Sequence, residues 1–131
     1  MDLNPYLIFN GDCAEAVRFY SGLLGGEILF IQRFGDVEDM GPPEYADKVL
    51  HTQLRIGKRM LMMSDSMPGE WEKPQGFHVQ LGFDDDDRAA KVFDALAEGG
   101  TVTMPYGKTF WARGFGMCND RFSIPWMVNY D

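Results

Sequence analysis

Hydrophobic and polar positions follow one order twice along the chain. Tyr6-Leu7-Ile8-Phe9 is a short strand-like run, the turn residues Asn10-Gly11-Asp12 follow, and Ala16, Phe19, Tyr20 and Leu23 then recur at helical spacing before Gly25-Gly26. The second copy reads Val79-Gln80-Leu81-Gly82-Phe83, an aspartate turn, a stripe of Ala89, Val92, Phe93, Leu96 and Ala97, and Gly99-Gly100. Phe19 and Phe93 stand 74 positions apart, and the same offset aligns Leu7 with Leu81, Phe9 with Phe83, Asp12 with Asp86, Ala16 with Ala90 and both glycine pairs. Repetition on this scale predicts two similar modules.

Each helix has local reasons to start and stop. Asp12 is placed to cap the first helix, with Glu15 in capping-box position, and Gly25 supplies a left-handed stop. Asp84 to Asp87 suit the positive end of the second helix dipole. A calcium loop is the sharper reading of that run, but it lacks the alternating oxygen ligands and central glycine of such loops.

After the first helix, Glu27–Arg33 has strand composition, and residues 34–47, with Gly35, Gly41, Pro42 and Pro43, form a long mobile loop, either a lid or a plain insertion. From Lys48 to Ile56 the period is two, which puts Val49, His51, Gln53 and Arg55 on one face and Leu50, Thr52, Leu54 and Ile56 on the other. Gly57-Lys58 marks a hairpin, and Met60-Leu61-Met62-Met63 returns as strand core. The modules span about 1–66 and 76–131, with linker 67–75 carrying Trp71, which is expected to fold back on the core or sit at a ligand mouth. In the second module Thr101 to Met104 is a short strand, Pro105-Tyr106-Gly107 a turn, Thr109 to Asn119 an aromatic, glycine-rich strand, Asp120-Arg121-Phe122 a turn, and Pro125 to Tyr130 the last strand with Trp126 in the core.

Composition narrows the function classes. A chain of 131 residues with 45% hydrophobic content fits one compact α+β unit in which both modules share a core. A net charge of −8 with scattered basic residues argues against a nucleic-acid partner. No apolar run reaches the ~20 residues that span a bilayer, and the N-terminus lacks a secretory pattern, so a cytoplasmic protein away from membranes is the default expectation. Cys13 and Cys118 read as free thiols. Cys13, just past the helix cap, is either a dipole-activated thiol or a small helix residue.

Several motifs together resemble one family: Pro5-Tyr6-Leu7-Ile8-Phe9, Ala16-Val17-Arg18-Phe19-Tyr20, His51-Thr52-Gln53-Leu54-Arg55-Ile56-Gly57, Met62-Met63-Ser64-Asp65, and Thr109-Phe110-Trp111 through Trp126. With the doubled strand–helix–three-strand plan, they resemble the vicinal oxygen chelate superfamily of glyoxalases, bleomycin-binding proteins and dioxygenases, and within it the PhnB-like branch. The resemblance covers nearly the whole chain. It implies tandem βαβββ modules forming a cupped mixed sheet around a cavity, and usually a homodimer. Metal-dependent members hold a divalent ion at the first and last strands of each module. Here those seats fall at Asn4, near Met62, at His78 and near Met127. Only His78 matches a family ligand, so no complete metal site is expected, although a divalent ion on unusual ligands stays an alternative. Some branch members are labelled ubiquinone-pathway methyltransferases, but no parallel-sheet pattern with a glycine-rich nucleotide turn supports that here.

Without a metal, the resemblance leaves a largely aromatic cup for a small organic molecule. His51 and His78 are the candidate acid–base or hydrogen-bonding groups, with Gln53 and Gln80 beside them on their strand faces. Trp71, Trp111, Arg113 and Phe115 are the further candidate ligand contacts. Arg113 lies between two aromatic residues and could pair with an anionic group while Gly114 and Gly116 admit close approach. Three classes stay open: a binding protein, an enzyme of lyase, isomerase or transferase type using His51 and His78 or a metal, and an interaction module.

Overall fold

The computed structural model describes all residues, 1–131. Backbone contacts divide the chain into two compact units, Met1–Glu72 and Lys73–Asp131, with the break inside the 67–75 stretch. Each unit is α+β, one helix on one four-stranded mixed sheet.

In the first unit β1 (Tyr6–Phe9), α1 (Cys13–Leu24), β2 (Glu27–Arg33), β3 (Val49–Ile56) and β4 (Arg59–Asp65) form a sheet in the order β1-β4-β3-β2. β1 pairs parallel with β4, and the other pairs are antiparallel. The core lies between α1 and the sheet, where Leu7, Phe9, Leu54 and Met63 meet Cys13, Ala16, Val17, Tyr20 and Leu24. The buried stripe is thus rotated from the expected one. Phe19 and Leu23 lie on its half-buried flank.

The strand alternation also breaks. Register shifts in the β2–β3 ladder put Val49 in the core with Thr52 and Leu54, away from the His51–Gln53–Arg55 face. A β-bulge has this effect, because one extra residue reverses which side faces the core. Segment 34–47 is less loose than its composition suggests. It contains two 3₁₀ turns, Phe34–Asp36 and Pro43–Tyr45. Phe34 is buried edge-on against Tyr45, and the Tyr45 hydroxyl donates to the Ser66 carbonyl.

The second unit repeats the plan with β5 (Val79–Phe83), α2 (Asp86–Ala97), β6 (Thr101–Gly107), β7 (Gly114–Asn119) and β8 (Pro125–Tyr130), ordered β5-β8-β7-β6. Its core sets Ala89, Val92, Phe93 and Leu96 against Cys118, Trp126 and Val128. β6 runs through the expected Pro105–Gly107 turn, which an edge strand allows because the missing proline N–H has no ladder partner to lose. The strand expected from Thr109 begins only at Gly114. Residues 109–112 form instead a tight turn in which the Thr109 hydroxyl accepts from the Ala112 N–H at 3.1 Å.

The helix stops follow the sequence. Gly25 and Gly99 have positive φ, 71° and 77°. Their partners are glycines for lack of space. A Cβ on Gly26 would meet the Leu54 side chain at 2.7 Å, and one on Gly100 the Asn119 carbonyl oxygen at 2.1 Å.

The helix starts differ. Asp12 makes no side-chain cap bond to α1. Asp65, the last residue of β4, takes that role: one buried carboxylate oxygen accepts from Cys13 N–H at 3.0 Å and the other from Val49 N–H at 2.8 Å. α2 is capped locally, with Asp85 accepting from Arg88 N–H at 3.2 Å. Its neighbour Asp86 accepts from the Tyr106 hydroxyl at 2.7 Å, so the aspartate run is a helix start.

Candidate functional site

The face of the first sheet turned away from α1 is where sequence alternation placed His51 and Gln53. Cross-strand pairing of Tyr6 with Met62, Met62 with Gln53, and Gln53 with Phe30 makes one row across four strands. Tyr6 and Phe30 remain 45% and 43% exposed, so the face is open. His51 sits against this row, between two rings. Tyr6 stacks on it at 5.5 Å with an 18° interplanar angle, and Phe30 lies 5.6 Å away at 52°.

Both imidazole nitrogens are engaged. The Tyr6 hydroxyl lies 2.9 Å from Nδ1 and the Gln53 amide nitrogen 3.1 Å from Nε2. When the amide donates, Nε2 accepts, Nδ1 carries the ring proton, and the Tyr6 oxygen receives it. The Tyr6 hydroxyl hydrogen is then left pointing to solvent or a ligand. At the rim Arg55 is held by Glu27 at 2.7 Å in an exposed ion pair. Tyr6 and Phe30 were not singled out by sequence; the cross-strand register is the signal that identifies them.

The remaining candidates lie on other elements. His78 precedes β5 in the second unit and lines an open cleft of about 370 Å³. Gln80 projects from the exposed face of β5, opposite Met127. Trp111 is half-exposed and meets Phe110 and Phe115 edge-on at 4.7 and 5.4 Å, while Phe115 is buried at the start of β7. Arg113 stands between Trp111 and Phe115 in the chain, but those two rings meet each other directly. Its guanidinium sits over the Tyr130 ring at 4.6 Å. Nor do its flanking glycines leave space for a ligand: a Cβ on Gly114 would meet the Tyr106 hydroxyl oxygen at 2.2 Å, and one on Gly116 the Phe93 ring at 2.7 Å. Trp71 is half-buried, and its indole nitrogen is buried with no hydrogen-bond partner in the protein. Such a donor is rare and is suited to an acceptor from outside the fold.

Neither thiol is activated. Cys13 is fully buried, and burial, with the charges of Asp65 and Asp12 adding to it, pushes its pKa up instead of down. Cys118 is pushed up to about 11 by burial and then Asp120.

The seats that the resemblance implies fall at Asn4 and near Met62 in the first unit, and at His78 and near Met127 in the second. Amides and thioethers are poor partners for a hard divalent ion, and no three His, Cys, Asp or Glu side chains cluster where they could hold one. No helix is long and apolar enough to cross a membrane.

Comparisons with known proteins agree with this architecture. The E. coli K12 protein YjdN is 36% identical over 141 residues, covering 98% of this chain and 95% of the relative. The structure of protein PA1353 from Pseudomonas aeruginosa superposes with a TM-score of 0.93 at 44% identity, over 100% of this chain and 98% of that one. The PhnB protein of Bacillus cereus shares the fold with a TM-score of 0.87 at 24% identity, over the full length of both chains. The family model for the Glyoxalase/Bleomycin resistance protein/Dioxygenase superfamily matches residues 2–128. Two βαβββ units in tandem, a match over nearly every residue, and a relative above 30% identity covered almost end to end place the chain in that superfamily.

Proposed function

We propose that this chain is a PhnB-like member of its superfamily that binds a small organic molecule on the aromatic face around His51. The carrying observation is the imidazole set between Tyr6 and Phe30 with both nitrogens engaged on an otherwise open sheet face. The rings and Met62 offer a planar apolar surface, while the Tyr6 hydroxyl and Gln53 amide fix a polar edge. A divalent metal has no part in this reading.

A second reading, enzyme chemistry, is favoured by the same contact. A hydroxyl on one ring nitrogen and an orienting amide on the other is the layout of a positioned acid–base histidine.

A broad metabolite panel read by thermal unfolding tests the binding reading, since a ligand selective for the native state raises Tm by mass action. Stabilisation by an aromatic compound recovered unchanged, and lost in His51→Ala, is the expected result. Turnover that disappears in a folded His51→Ala protein would make the enzyme reading correct. No stabilisation by any compound would overturn both in favour of an interaction module. Elemental analysis of chelator-free protein, repeated for His78→Ala, checks the metal: a near-stoichiometric ion lost with His78 would overturn the metal-free part. We take the assembly to be a homodimer, which light scattering measures.

A further inference from the structure

Asn10 and Gly11 join β1 to α1, and they are the one Asn-Gly pair in the chain. No aspartate precedes a glycine either. The connection runs only from Asn10 to Asp12, and both its ends are tied: the Phe9 carbonyl accepts from Ser66 N–H at 2.8 Å, and Cys13 N–H donates to Asp65 at 3.0 Å. Between them the Gly11 carbonyl accepts from the Lys48 ammonium at 2.9 Å.

This turn favours attack of a backbone nitrogen on the side chain before it. Asn10 is exposed, no hydrogen bond holds its side-chain amide, and the Gly11 N–H has no acceptor in the protein. Gly11 also carries no side chain to shield that nitrogen. The other asparagines lack these features. Asn4 precedes Pro5, which has no N–H. Asn119 precedes Asp120, whose N–H donates to the Ile124 carbonyl at 2.9 Å. Asn129 lies inside β8, where Tyr130 is laddered between Gly114 and Phe83.

We propose that Asn10 is a spontaneous deamidation site, converting slowly to aspartyl and isoaspartyl forms, and that the isoaspartyl form loosens the start of α1. The Gly11 nitrogen loses its proton to hydroxide and bonds to the carbonyl carbon of the Asn10 side chain. The carbon–nitrogen bond of that amide breaks, and ammonia leaves, taking a proton from water. Water then opens the resulting succinimide at either carbonyl. Opening at one restores the normal backbone with aspartate, while opening at the other routes the chain through the side-chain methylene and adds one carbon to the backbone. The new carboxylate by itself suits the positive end of the α1 dipole. The added carbon does not suit a connection pinned at Phe9 and Cys13, so it is expected to weaken the Asp65 and Lys48 contacts.

The full chain, incubated in mildly alkaline buffer, sampled over time and mapped by peptide mass spectrometry, makes the test. The peptide holding Asn10 is expected to gain the mass difference between an amide and an acid, to split into two products that separate by chromatography, and to do so ahead of the peptides holding Asn119 and Asn129. Asn10→Gln is expected to lose both products, because glutamine must close a larger and slower ring. Asn10 is exposed, so its substitution does not endanger the fold. Aged wild type is then compared in urea with Asn10→Asp, which carries the charge without the added carbon. The aged chain is expected to unfold at the lower midpoint. No conversion at Asn10, conversion at Asn119 or Asn129 that keeps pace with it, or conversion only in the unfolded chain would each overturn the site. Equal midpoints for the aged chain and Asn10→Asp would overturn the loosening of α1.

Discussion

The two units build the same strand–helix–sheet plan and start their helices in opposite ways. In the second, Asp85 caps α2 from three residues away. In the first, the residue in the capping position is passed over and Asp65 reaches α1 from across the sheet, holding β3 in place with its other oxygen. Sequence similarity between modules therefore preserves where elements lie without preserving which contacts hold them. A local cap can be removed with little consequence to its surroundings, whereas a tertiary cap strands buried donors on two elements when it is lost.

Substitutions can break that contrast, and the largest effects are expected at buried aspartates. Asp120 accepts from Phe122 N–H, Ile124 N–H and the Trp126 indole at 2.9, 3.0 and 2.8 Å. Each stranded buried donor costs about 1–3 kcal/mol, so Asp120→Ala should be the most destabilising change in urea unfolding and Asp65→Ala close behind. Asp85→Ala should cost only about 1 kcal/mol. Equal losses for Asp65→Ala and Asp85→Ala would erase the distinction between tertiary and local capping.

The second glycine of each pair sharpens the comparison. Gly100→Ala is expected to cost more than Gly26→Ala, because Gly100 abuts backbone and Gly26 chiefly a leucine side chain that can move. Denaturation midpoints of the two variants give the order directly.

A smaller effect depends on pH. Cys118 titrates at about 11 in the native chain against an ordinary 9.0, because burial, and then Asp120, oppose the thiolate. Above pH 9.0 the unfolded chain gives up this proton while the native chain keeps it, so the contribution present below 9.0 is lost as pH rises to about 11. Between those values wild type should lose more stability than Cys118→Ala, and parallel losses would show that the thiol is not responsible. The smallest change is expected at the rim: Arg55→Ala should move stability by less than ~0.5 kcal/mol, since the Glu27 pair is exposed and screened.

Much of the fold was legible because period and punctuation are local. The second strand was placed at Glu27–Arg33, where it lies, and both glycine stops were identified. What failed involved long-range contacts. Nothing near Cys13 announces that its amide will find Asp65, and the bulge that turns Val49 inward, with Leu50 as the extra residue of β3, is visible only in the pairing with β2. The site divides in the same way. His51 and Gln53 could be put on one face by counting in twos, but Tyr6 and Phe30 join them only through the register of neighbouring strands. Gly114 and Gly116 were taken as space for a ligand and are filled by Tyr106 and Phe93.

The Asp65 cap also has a consequence in time. Its bond to Cys13 closes 52 residues of chain, while the Asp85 bond closes three. Closing the longer loop demands more chain entropy before any contact rewards it, so α2 can complete its first turn from neighbouring residues while α1 must wait for β4. Removing Asp65 should then chiefly hasten unfolding and removing Asp85 chiefly slow folding, the pattern of a late and an early contact. During synthesis, α1 would emerge long before the residue that secures its first turn.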